Sequence, residues 1–132
     1  MIPPFDENGY LPPGIHPATL DEIEARFGVE SELRRVQMES LRWLADLAWR
    51  LAAVRIVING SFVTDAYEPN DVDCALLFDP HTLEEDDEAE LRQGLPFLEL
   101  NVMEQADFDW LVGRFFAYNR EFEPKGMIEV IR

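Results

Sequence analysis

Apolar residues recur at three- and four-residue intervals through Leu33, Val36, Leu41, Leu44, Leu47, Ala48 and Leu51, with Gln37 in the same row and charged residues opposite. That spacing predicts one long amphipathic helix, and Ser31 stands where its N-cap belongs. A shorter helix precedes it. Thr19 followed three residues later by Glu22 is a capping box, Ile23 and Phe27 supply an apolar face, and Gly28 ends it. A third helix is expected from about Asp107 to Tyr118, with Phe108, Leu111, Val112, Phe115 and Phe116 at helical spacing. Aromatic residues in such a row are read as core.

Between these helices the pattern shortens to strands. Val54 to Ile58 is a run rich in β-branched residues that stops at Asn59-Gly60-Ser61, and Asp71 to Phe78 is a second run ended by Asp79-Pro80. Phe97 to Met103 alternates, with Phe97, Glu99, Asn101 and Met103 on one side and Leu98, Leu100 and Val102 on the other. Met127 to Ile131 is a last short strand after Pro124-Lys125-Gly126. Residues 1–18, rich in proline and glycine around Phe5, Tyr10, Leu11 and Ile15, read as an extended arm wrapping the domain. The order is arm, helix, helix, strand, strand, strand, helix, strand. It predicts a single α/β (α+β) domain over residues 1–132, a small mixed sheet flanked by helices.

Composition narrows this picture. The hydrophobic fraction of 47% is that of a folded chain. The opening residues carry neither the basic nor the apolar segment of a signal peptide, and no apolar run of about 18 residues occurs, so a cytoplasmic protein without membrane spans is expected. The one cysteine, Cys74, lies in an apolar run and reads as a small buried side chain. The formal net charge is −16, from 27 acidic and 11 basic residues, with Lys125 the only lysine. Such a surface repels a nucleic-acid backbone unless its ten arginines cluster on one face, and suits a basic partner or a metal-chelated nucleotide. The acidic run from Glu84 to Glu90 reads as a solvated helix or loop rather than a metal site. His16 and His81 are isolated.

The candidate chemistry lies between Ile58 and Asp73. A strand ending in Gly60-Ser61, with a helical turn or two expected over Phe62 to Ala66, offers close backbone approach and amide donors to a phosphate; an ordinary turn is the alternative. Asp71 and Asp73, two apart on a strand, point to one face, where their repulsion suits a hard cation such as magnesium; a solvent-facing edge is the alternative. The nine intervening residues, turned by Pro69-Asn70, are enough to bring both features to the same end of neighbouring strands.

This arrangement resembles the nucleotidyltransferase superfamily that includes DNA polymerase beta, whose pattern is a strand, Gly-Ser, about ten residues, then Asp-x-Asp. The resemblance implies a minimal nucleotidyltransferase fold, with magnesium on Asp71 and Asp73, and Gly60 and Ser61 at the phosphates of a nucleoside triphosphate. It also implies a third carboxylate on a later strand, for which Glu99 stands out as a polar interruption of an apolar run. Lys125 is a candidate phosphate contact, with a solvated loop lysine as the alternative. The wider chain is similar to one small bacterial family described only as nucleotidyltransferase-like, through MIPPFDENGYLPPGIHPATLDEIEARFG, INGSFVTDAYEPNDVD and the closing Arg120 with Glu123-Pro-Lys-Gly-Met-Ile. That family often carries a lysine where this chain has Ala66, which removes one phosphate contact. The resemblance implies transfer of a nucleotidyl group to an unknown acceptor, in a toxin–antitoxin or defence setting. The other reading is a catalytically weak nucleotide binder or antitoxin-like protein that masks a basic partner.

Overall fold

The computed structural model describes residues 1–93 and 97–132. Its centre is a mixed sheet of five strands in the order β1-β5-β2-β3-β4. The strands are β1 (Gly14–Thr19), β2 (Arg55–Asn59), β3 (Val72–Leu77), β4 (Leu98–Met103) and β5 (Gly126–Ile131). β2 runs antiparallel to both β3 and β5, whereas β1 lies parallel to β5 and β4 parallel to β3. The expected α/β class with a mixed, helix-flanked sheet is therefore what forms.

The period-two alternation of the strands separates two cores. Ile56 and Ile58 of β2, with Val72, Cys74 and Leu76 of β3, face α1 (Leu20–Phe27), α2 (Glu32–Arg50) and α3 (Glu85–Gln93). Val57, Ala75, Leu77 and Met127 face the other way, under Phe108 of α4 (Gln105–Leu111) and under Val112 and Phe116 of a π turn (Val112–Phe116). The capping box at Thr19 and the Ser31 cap form as the sequence predicts. Cys74 is buried, and burial raises its thiol pKa. Among the described residues no helix is long and apolar enough to cross a membrane.

Several expectations are corrected. The end of the arm is not merely extended: Gly14 to Thr19 is an edge strand in register with Gly126 to Ile131. Its partner lies at the far end of the chain, so no local pattern announces the pairing. Val36 is exposed rather than part of the apolar stripe, and the buried face of α2 takes in Arg34 and Met38 instead. The helical turns after Gly60 shrink to one 3-10 turn, Ser61–Val63. The acidic run, by contrast, is a solvated helix as expected, α3, anchored by buried Leu91. The last helix gives way to the π turn before Tyr118, which turns Phe115 out of the core. A π turn shifts side chains around the axis relative to an α-helical count, so helical spacing misassigns that residue.

Candidate functional site

The helical cover of the second core stops short of one end of the sheet, and there the inward positions become polar. Asp73 pairs in register with Asn59 on one side and with Glu99 on the other, so three polar side chains form a row across β2, β3 and β4. They share the face of Val57 and Ala75 because they sit at even spacing from them. Asp71, just before β3, and Lys125, just before β5, complete the floor of a cleft of about 980 Å³. The arm supplies a wall through Asn8, Gly9 and Tyr10. Asp65 donates its amide to Gly9 O at 3.1 Å, and a Cβ on Gly9, whose φ is 84°, would collide with the Asp65 carboxylate.

Gly60 joins β2 to the 3-10 turn with φ 88°. A Cβ there would lie 3.0 Å from Asp73 Oδ2 and 3.1 Å from the Asp71 carbonyl oxygen. The close approach that Gly60 permits is thus to the two aspartates. Gly60→Ala should cost about 1–3 kcal/mol of stability, read from urea unfolding, because the new residue meets both an unfavourable φ and a carboxylate. Ser61 Oγ accepts from the Asn70 amide at 2.9 Å, which ties the start of the loop to its end and leaves the hydroxyl hydrogen for another acceptor.

Electrostatics at the floor are unusual for so acidic a chain. Burial pushes the Asp73 carboxyl up to about 7, helped by its hydrogen bond and charge interaction with Glu99 and by Asp71, while Lys125 works against the rise. Burial likewise pulls Lys125 down to about 8, opposed by Asp73. Lys125 is only 7% exposed and donates to Asn59 Oδ1 and, at 3.1 Å, to the Phe116 carbonyl. It is a fixed, buried cation of the floor, not a solvated loop lysine. Glu99 sits beside Asp73 as the sequence suggested, but it is exposed, so the cost of burying an unpaired charge is not what marks it.

The floor suits a cation only in part. Asp73 and Glu99 stand side by side as like charges, and a divalent cation would relieve their repulsion. Among the described residues no group of three or more His, Cys, Asp or Glu side chains is gathered as a metal cage. Magnesium keeps several waters and needs only one or two protein carboxylates, and the Asp73–Glu99 pair supplies that number.

Two residues of this region carry no motif signal. Asn59 is buried and holds Lys125; a polar residue closing an apolar strand run was the one hint of it. Arg34, only 3% exposed, reaches from α2 beneath the loop and donates to the carbonyls of Phe27 at 3.0 Å, Phe62 at 2.8 Å, Thr64 at 2.8 Å and Ala66 at 2.6 Å. Burial lowers its pKa, with Glu30 and Asp65 opposing. Gln37, one turn on, donates to the Pro69 carbonyl at 2.7 Å. The loop from Gly60 to Asp71 is therefore shaped from below by α2. Ala66, read from the sequence as a missing contact, contributes its carbonyl to that clamp.

Fold and site together define an α/β protein with a carboxylate- and lysine-floored cleft at one end of three adjoining strands. The chain belongs to a family of unknown function, DUF6932, whose model matches residues 3–131. No curated protein and no solved structure matches the chain.

Proposed function

We propose that the protein is a magnesium-dependent, nucleotidyltransferase-like enzyme of the cytoplasm that moves a nucleotidyl group from a nucleoside triphosphate to an acceptor hydroxyl. The observation that carries this reading is the Asp73 carboxyl, paired with Glu99, held against Gly60 and raised to about 7 in a cleft that also holds Asp71 and Lys125. Asp71, Asp73 and Glu99 are the groups that would hold the cation. When bound, magnesium supplies charge neutralisation at the phosphates.

The chain's own residues account for the rest. Lys125 places two ammonium hydrogens on Asn59 and Phe116, which orients the group and leaves the third for a phosphate oxygen. Ser61 offers its hydroxyl hydrogen from the opposite side of the turn. As the acceptor oxygen bonds to the α-phosphorus and the bond to pyrophosphate breaks, the hydroxyl proton passes to one carboxylate of the floor, which acts as general base. Asp73 bearing a proton near pH 7 favours a second reading, in which the cation is held weakly and nucleotide is bound without turnover.

Incubation with magnesium and each labelled triphosphate tests the proposal. Transfer is expected from the unaltered protein and should fall on the order of 100-fold or more in Asp71→Ala and in Asp73→Ala. Saturable binding without transfer would leave the binder, and no magnesium-dependent binding would remove both readings.

A further inference from the structure

The mouth of the cleft carries aromatic residues that the fold does not use. Trp110 is 58% exposed, Phe115 55% and Phe122 86%. Trp110 and Phe115 meet edge to face with centroids 4.8 Å apart, and Phe115 and Phe122 both line the cleft. Scattered apolar residues on a surface are ordinary, whereas a set of large rings at the rim of a cleft marks a contact surface.

Phe122 adds a second, independent observation. Its φ is 62°, a left-handed conformation that glycine or asparagine adopts easily and a bulky side chain does not. The turn enforcing it is closed from several directions. The Phe122 amide donates to the Asn119 carbonyl at 3.0 Å, the Asn119 side-chain oxygen accepts from Glu121 at 2.9 Å and Glu123 at 3.0 Å, and the Asn119 amide donates to Glu123 O at 2.9 Å. A bridge between Tyr118 and Pro124 locks its base. The chain thus holds a phenylalanine ring outward on a rigid, strained turn, and neither the strain nor the exposure helps it fold.

Charge says what such a ring meets. Between Glu104 and Glu123 the exposed charged residues are five acids, Glu104, Asp107, Asp109, Glu121 and Glu123, against Arg114 and Arg120. Aromatic faces on a segment where exposed carboxylates outnumber cations repel a phosphate backbone and attract lysine and arginine, whose cations stack on the rings while the carboxylates neutralise them. We propose that the aromatic rim formed by Trp110, Phe115 and Phe122 is a docking surface for a basic polypeptide segment. The docking stands apart from the chemistry of the floor, since it uses neither the cation nor the nucleotide.

Fluorescence polarisation with a short fluorescein-labelled peptide of lysine, arginine and glycine tests this on the full chain, with an acidic peptide and a single-stranded oligonucleotide as further probes. Saturable binding of the basic peptide alone is expected. Phe122→Gly should weaken it about tenfold or more while leaving the melting temperature unchanged or higher, because glycine relieves the backbone strain without altering any charge. Equal affinity in Phe122→Gly would mean that net charge alone recruits the peptide and would overturn the proposal, as would absence of binding. Tighter binding of the oligonucleotide, lost in Phe122→Gly, would overturn it in favour of a nucleic-acid surface.

Discussion

Arg34→Met is expected to lower the unfolding free energy by about 3–5 kcal/mol. Methionine fills a similar volume, so the loss is one of hydrogen bonding rather than of packing. Four carbonyl oxygens, those of Phe27, Phe62, Thr64 and Ala66, now end on one guanidinium with no carboxylate within ion-pair distance among the described residues. Each carbonyl left without a donor costs about 1–3 kcal/mol when buried, less where water reaches it. Three of the four belong to the loop between Gly60 and Asp71, so the damage should concentrate there. Urea unfolding measures the global term. Hydrogen exchange of the Val63 and Thr64 amides, bonded to the carbonyls of Gly60 and Ser61, measures the local one and should quicken. Arg34→Lys keeps the charge but cannot reach four acceptors with three hydrogens, and should recover less than half of the loss. A methionine variant as stable as the parent would mean that water replaces the guanidinium and that the clamp is not what shapes the loop.

The second large effect is at Asp73 and depends on pH. A carboxyl raised from 3.8 to about 7 binds a proton in the folded chain that the unfolded chain has already released. Stability therefore falls as pH rises from about 4 to 7, and the penalty is complete above that. Lys125, lowered from 10.5 to about 8, acts with the opposite sign: its penalty is complete below pH 8 and lifts as pH rises from 8 toward 10.5. The two groups together place a shallow minimum between pH 7 and 8. Asp73→Asn removes the first limb. The variant should be more stable than the parent at pH 8 by on the order of 1–2 kcal/mol, a figure reduced because the partly exposed carboxyl is screened by water, and no different at pH 4. The same variant should lose magnesium-dependent nucleotide binding. A residue that destabilises the fold yet is needed for binding is the signature of a functional group. If the stability difference between parent and variant does not change between pH 4 and 8, the raised carboxyl is refuted.

Legibility in the sequence followed the range of the interaction responsible. The capping box at Thr19, the α2 stripe through Leu41, Leu44 and Ala48, and the strand runs after Val54 and Asp71 were readable because each depends on residues a few positions apart. The spacing of Gly60-Ser61 and Asp71-x-Asp73 was readable for the same reason, since a short connection between adjacent antiparallel strands leaves little freedom. Phe115 was misread because a π turn changes the period on which the reading relied. Arg34 was passed over because a charged residue on a helix is normally solvated, and only the loop folded against α2 supplies the carbonyls that make its burial favourable.

By itself, then, the sequence determined the α/β class, the long amphipathic helix and the two aspartates at a strand start, all of them local consequences of side-chain period and turn chemistry. The tertiary structure alone decided that Asn59 pairs with Asp73, that Lys125 is buried and bonded to Asn59, and that the arm ends as an edge strand beside β5. Those outcomes depend on strand order and register, which are set by how the two faces of the sheet bury their apolar rows and not by any short stretch of chain.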